Sequence, residues 1–292
     1  MEREKRIRSG KLLEVEFYPV FENGRKVPNR TPKSKSSTPE QQKYNTTQAI
    51  KKFVRLVNTN FDNTDLFMSP TYLPQNAPQN EAEARRDIVN YLRRVKTKRT
   101  SELRKAQKQL AAAPDNKDLA KRCGKLAEPF RYIYVIEKQT YKTGINKGRH
   151  NWHFHIFLTG GLDRDILEDM WPKGIRVNTH RFQPERFGPE AAARYCSKDP
   201  QGSKRFVYSR NLKKPIIAPP RDGKITPRGV ERLALDRVDD REYWERRHKG
   251  YKFIRCFARF NVFNGHWYIS VVMYKADSKT EIPTWQTEWL EE

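Results

Sequence analysis

The chain has 292 residues, enough for one large domain or two modest ones. Its 59 Lys and Arg stand against 35 Asp and Glu, a formal net charge of +24 that favours a polyanionic partner. Mean hydropathy is -0.96, and no apolar run is long enough for a membrane-spanning helix. Cys123, Cys196 and Cys256 are far apart and form no CxxC pair, so they are expected to be reduced and packed rather than bridged or zinc-bound. The N-terminal Met-Glu-Arg-Glu-Lys-Arg has no apolar segment after it, which points to a cytoplasmic protein.

In chain order, residues 12–21 alternate and predict a strand, with a turn at Asn23-Gly24. Residues 25–43 are rich in Lys, Arg, Ser, Thr and Pro and read as a basic loop, either solvated or touching DNA. Residues 49–57 predict a short helix with Ile50, Phe53, Val54 and Val57 on one side, and residues 65–68 start a core strand. Asn80 opens a longer helix, with Glu83 at capping-box spacing and Ala84, Ile88, Leu92 and Val95 as its apolar stripe. From Arg93 to Lys108 there are eight basic residues and one acidic residue. Arg93, Arg94 and Lys96 at its start are candidate DNA contacts, a solvated face being the alternative.

A second helix is expected over 117–126. Residues 132–136 and 153–158 predict strands joined by a polar turn, hence antiparallel neighbours. Asp163 caps a short helix, residues 174–182 return as a strand, and Pro189 suits the first turn of a helix reaching Tyr195 and Lys198. This order predicts an α+β fold with a central antiparallel β-sheet flanked by helices. Pro215, Pro219, Pro220 and Pro227 mark a linker. Beyond it, residues 252–260 and 266–274 flank Asn264-Gly265 as a C-terminal β-hairpin extension. Its Arg255, Phe257, Arg259, Trp267 and Tyr268 suit either single-stranded nucleic acid or the charged outer face of a sheet. The expected organisation is an N-terminal strand and basic segment over 1–58, a domain carrying the chemistry over 59–214, and a linker with a β-rich extension over 215–292.

The chemistry-bearing stretch is Trp152-His153-Phe154-His155-Ile156-Phe157-Leu158. On a strand, His153 and His155 share one face while Phe154 and Ile156 point to the core. Two imidazoles at this spacing can bind one divalent ion. Glu137, at the end of the neighbouring strand, is the first choice of third ligand, with His150 as the alternative. Two imidazoles and a carboxylate suit Mg²⁺ or Mn²⁺ rather than a structural zinc. Tyr195 and Lys198, three apart, share a helix face. An ordinary tyrosine hydroxyl, with a pKa of about 10, is a poor nucleophile. A nearby ammonium and a metal-polarised phosphate would activate it.

The order His-hydrophobic-His followed by a helix with Tyr-x-x-Lys resembles the HUH endonucleases that initiate rolling-circle replication, in particular plasmid and phage initiators with one catalytic tyrosine. Residues 61–72, Trp171-Pro172-Lys173-Gly174 and residues 208–215 are similar to further segments of that family. The resemblance spans roughly residues 60–220 and implies an RRM-like palm. It implies metal ligation by His153, His155 and Glu137 and a nucleophilic Tyr195 assisted by Lys198; Arg194 and Arg210 are further candidate DNA contacts. It further implies single-stranded DNA at a replication origin as substrate and a 5′-phosphotyrosine intermediate. Position 199 is Asp199 rather than a second tyrosine, so a single-tyrosine cycle would need another way to terminate, such as a second subunit of a homo-oligomer. No G-x-x-x-x-G-K-[ST] occurs, so unwinding would fall to a host helicase and extension to a host polymerase. Ser69-Pro70-Thr71 departs from the family's opening strand, and Pro70 should end that strand or lie at an edge. Single-tyrosine transposases share the motif order, relaxases reverse it, and a non-catalytic RRM-like nucleic-acid binder shares the fold.

Overall fold

The computed structural model describes residues 1–21, 38–140, 147–148, 150–174, 177–182 and 205–275. The turn expected at Asn23-Gly24 and the helix expected over 189–198, with Arg194, Tyr195, Cys196 and Lys198, lie outside these residues. The chain divides into two compact units, Met1–Asn45 with Lys213–Glu292, and Thr46–Leu212. Each is an antiparallel sheet with helices, so the protein is α+β. No helix among the described residues is long and apolar enough to cross a membrane.

In the first unit, β1 (Glu2–Ser9) and β2 (Leu12–Pro19) pair with the C-terminal hairpin β10 (Tyr251–Asn261) and β11 (His266–Lys275). The hairpin register runs from Tyr251↔Lys275 to Asn261↔His266, and Gly265 takes the positive φ of 66° that its turn needs. The hairpin is therefore no separate extension at the residue level, because β11 hydrogen-bonds to β2. The sequence of β1, Glu-Arg-Glu-Lys-Arg-Ile-Arg-Ser, carries no strand signal. Each of its two buried carboxylates has a basic side chain as partner. Glu4 accepts from Arg6 Nε at 2.6 Å and Arg247 Nη2 at 2.9 Å, and Glu2 lies 2.8 Å from His266 Nδ1.

The proline-rich stretch after residue 213 is more structured than a linker. Strands β8 (Ile216–Ile217) and β9 (Arg221–Asp222) pair with β1. Pro227 opens α5 (Pro227–Asp236), capped by Thr226, whose Oγ1 accepts from Gly229 N. With α6 (Arg241–Arg247) it buries Val230, Leu233 and Trp244 against Val15, Phe17, Ile269 and Val271.

In the second unit the strand order is β6-β3-β5-β4-β7, with β3 (Leu66–Pro70), β4 (Tyr132–Thr140), β5 (His150–Leu158), β6 (Val177–Arg181) and β7 (Val207–Tyr208). Strand β3 ends at Pro70, which has no N–H to continue the ladder. Helices α2 (Glu81–Ala112), α3 (Lys117–Ala127) and α4 (Arg164–Asp169) contribute Ile88, Leu92, Val95, Leu126 and Leu167 to a core against Phe154 and Ile156. The opposite face meets α1 (Pro39–Asn60) through Phe53, whose ring lies 6.0 Å from Phe157.

Helix α1 starts about ten residues before the apolar pattern does, and residues 39–43 of the expected loop are helical. Thr38 Oγ1 accepts from Gln41 N at 3.3 Å, and Pro39 and Glu40 suit the first turn. Asn80 caps α2 as expected, its Oδ1 accepting from Glu83 N at 3.0 Å, while Glu83 reaches back to Gln79 N rather than to Asn80 N. Asp163 sits at the N-cap of α4 without a side-chain capping bond.

Arg99 is 3% exposed and is no part of a phosphate-facing surface. Its Nη1 donates to the carbonyls of Thr159 and Gly160, and its Nη2 to those of Lys125, Leu126 and Glu128 at 3.0–3.1 Å. It thereby joins α2 to the end of α3 and the exit of β5. Gly160 is required at that exit, since a Cβ there would collide with the Thr64 carbonyl. Arg99→Lys keeps the charge but cannot span both sets of carbonyls. It should destabilise the protein by on the order of 3 kcal/mol in urea denaturation.

In the first unit, His248 is buried, and its Nε2 has no hydrogen-bond partner. Burial, reinforced by Arg6 and Arg247 and partly offset by Glu4, pushes its imidazole down to about 4. The unfolded state therefore takes up a proton near pH 6.5 that the folded state refuses. Stability is lost as pH falls through this window. His248→Gln should remove about 2 kcal/mol of the wild-type difference between about pH 7 and about pH 5, read from denaturation midpoints.

Candidate active site

Strand β5 is central, bonded to β3 on one side and β4 on the other. Strict alternation sends Phe154 and Ile156 into the helix-covered core and His153, His155 and Phe157 to the other face. Glu137 stands directly opposite His153 in the β4–β5 register, and Val135 opposite His155. The Glu137 side chain reaches diagonally across the pair, placing its Oε2 3.2 Å from His155 Nε2. The other ring nitrogen of His155, Nδ1, lies 3.3 Å from Ser69 Oγ on β3. His155 is 8% exposed and Glu137 6%, so the pair is withdrawn from bulk water.

His153 is half-buried. Burial lowers its pKa, the neighbouring His155 adds to the effect, and Glu137 opposes it. The ring is thereby held neutral near neutral pH, the form that carries a free lone pair. Among the described residues, no three His, Cys, Asp or Glu side chains converge as a ready metal cage. Two of the expected donors meet, and the third shares their face.

Two of the three donors stand at a ligand-like separation. Ligand atoms about 2.1 Å from an octahedral ion and at right angles stand about 3 Å apart, close to the observed Glu137–His155 separation. Ser69 at Nδ1 orients the ring so that Nε2 faces the carboxylate, the kind of outer contact that metal-bound histidines use. His150 lies on β5, opposite Thr140.

Two site neighbours escape sequence reasoning. Phe67 stacks on His155 with ring centroids 6.1 Å apart and planes at 11°. On its other side is His180 of β6, at 5.2 Å. Burial and the nearby Arg164 lower the His180 pKa. Both alternations were readable, but which strand lies beside which was not.

Arg93, Arg94 and Lys96 are exposed on α2, which packs on the Phe154 face of the sheet, away from the histidines. Arg93 donates to Asn90 Oδ1 at 3.0 Å, and Arg94 to the Met170 carbonyl at 3.2 Å. Arg210 is exposed in the turn after β7. No family model matches this chain, and neither a curated protein nor a solved structure was found to match it.

If the three donors share an ion, Mn²⁺ should raise the thermal midpoint, by about 2.7 kcal/mol of stabilisation at a hundredfold excess over Kd. Glu137→Gln and His153→Ala should each remove most of that shift. Shifts in both variants as large as in the wild type would place the ion elsewhere.

Proposed function

We propose that the Thr46–Leu212 unit is a metal-dependent endonuclease and strand transferase acting on single-stranded DNA through Tyr195, in the manner of rolling-circle replication initiators. The observation that carries this reading is the buried Glu137–His155 pair, 3.2 Å apart, beside a neutral His153 on the same face of a central strand. His153, His155 and Glu137 would hold Mg²⁺ or Mn²⁺. An ion held there supplies Lewis-acid polarisation of the scissile phosphate.

The chain's own residues do the rest. The Tyr195 oxygen attacks the phosphorus, an O–P bond forms, and the bond from phosphorus to the 3′ oxygen breaks. The departing oxygen takes up the proton that the Tyr195 hydroxyl gives up and becomes a free 3′-hydroxyl able to prime synthesis, while the 5′ phosphate stays on the tyrosine. Lys198, on the same expected helix face, favours the phenolate and balances phosphate charge. Because a phosphoester is kept, the reverse reaction rejoins the strand. Arg194 and Arg210 supply phosphate contacts. The setting is an origin of replication, with a host helicase and polymerase as partners and a second copy of the chain to complete the cycle.

One observation favours a second reading. Both ring nitrogens of His155 lie within hydrogen-bond range of protein groups, Glu137 and Ser69, as in a purely structural histidine. The same sheet would then be a non-catalytic nucleic-acid surface.

The two readings part on a denaturing gel after incubation with a diverse pool of single-stranded DNA. The nuclease reading expects a protein band shifted by the mass of DNA in Mn²⁺ or Mg²⁺, absent in EDTA and absent in Tyr195→Phe. DNA binding without any adduct would support the binder. An adduct that survives Tyr195→Phe would reassign the nucleophile, with Tyr208 tested next.

A further inference from the structure

Beyond the sheet, the C-terminal half of α2 carries one continuous basic face. The only acid between Arg93 and Lys108 is Glu102, which is 8% exposed and held by Lys98 and Lys105 at 3.2 Å and Arg122 at 3.3 Å. Arg99 is buried as well. The exposed positions from 93 to 109 therefore present cations, hydroxyls and amides with no acid and no large apolar side chain. Thr97, Thr100, Ser101, Arg104, Lys105 and Lys108 follow helical spacing and line a shallow groove of about 460 Å³. Its hydroxyl residues are short, so its floor stays open between long flanking cations.

We propose that this face is a docking surface for the phosphate backbone of duplex DNA. The inference rests on the reading that the protein acts on DNA, and it names where the duplex beside the cleaved strand is held. Length fits the assignment. Arg93 to Lys108 spans about 22 Å of helix, and one strand of a duplex presents a phosphate about every 3.4 Å along its axis. Chemistry fits it too. A helix that binds lipid needs an apolar face to insert, whereas the apolar residues of this segment, Val95, Leu103 and Ala106, all belong to the core. Phosphate contacts of this kind give affinity without sequence preference.

The test uses the full chain and a short labelled duplex of random sequence, with affinity measured by anisotropy across a salt series. Arg104→Gln combined with Lys108→Gln should reduce the slope of log affinity against log salt by about 2, close to 0.9 for each phosphate no longer neutralised. Thr97→Glu with Ser101→Glu should also weaken binding, several-fold, while circular dichroism reports an intact helix. Adduct formation on single strands should stay at the wild-type level in both. The comparison variant is Lys121→Gln with Arg164→Gln, in the basic cleft between α3 and β6. An unchanged slope in the α2 variants, or a weakening confined to the comparison variant, would overturn the proposal. Loss of duplex binding in the α2 variants of a protein that forms no adduct would uphold the surface and reject the nuclease.

Discussion

The Thr46–Leu212 unit depends on a guanidinium buried among carbonyls. Arg99 binds the last turn and exit of α3 together with the residues that follow β5. Desolvation lowers its pKa, but an arginine remains charged even so. The carbonyls it meets include those at the negative end of the α3 dipole. Asp65 reinforces the same corner, accepting from Gly160 N at 3.0 Å and pairing with Lys125 at 2.9 Å. Fixing where β5 ends sets its register against both β3 and β4. With that register, His153 faces Glu137 and His155 lies diagonally within its reach.

Burying a carboxylate and two imidazoles is costly unless they bind one another or a cation. The Glu137–His155 contact offsets part of this cost, and the depressed pKa of His153 shows the remainder as a preference for the neutral ring. A polar group kept neutral beside a buried carboxylate is a poor choice for stability alone.

Much of the second unit was legible in the sequence. Period-two alternation and a polar turn announced β4 and β5, and hence the shared face of His153, His155 and Glu137. Asn80 and Glu83 announced the start of α2. Other features were hidden for identifiable reasons. Strand β1 is made of charged residues, and only the side-chain partners of Glu2 and Glu4 explain its burial. The prolines near residue 220 suggested a linker, although Pro227 begins a helix. The union of β2 with β11 joins residues about 250 apart in sequence, a pairing no local pattern encodes. Ser69 and His180 became site neighbours only through strand order. Arg99 looked like one more surface cation because helical spacing gives a face but not what covers it. Tyr195 and Lys198 lie outside the described residues.

The most direct measurement is pulsed electron paramagnetic resonance of Mn²⁺ added to the protein. Couplings from two imidazole nitrogens are predicted, one disappearing in His153→Ala and the other in His155→Ala. A spectrum from oxygen ligands alone, unchanged by either substitution, would contradict metal binding at this strand.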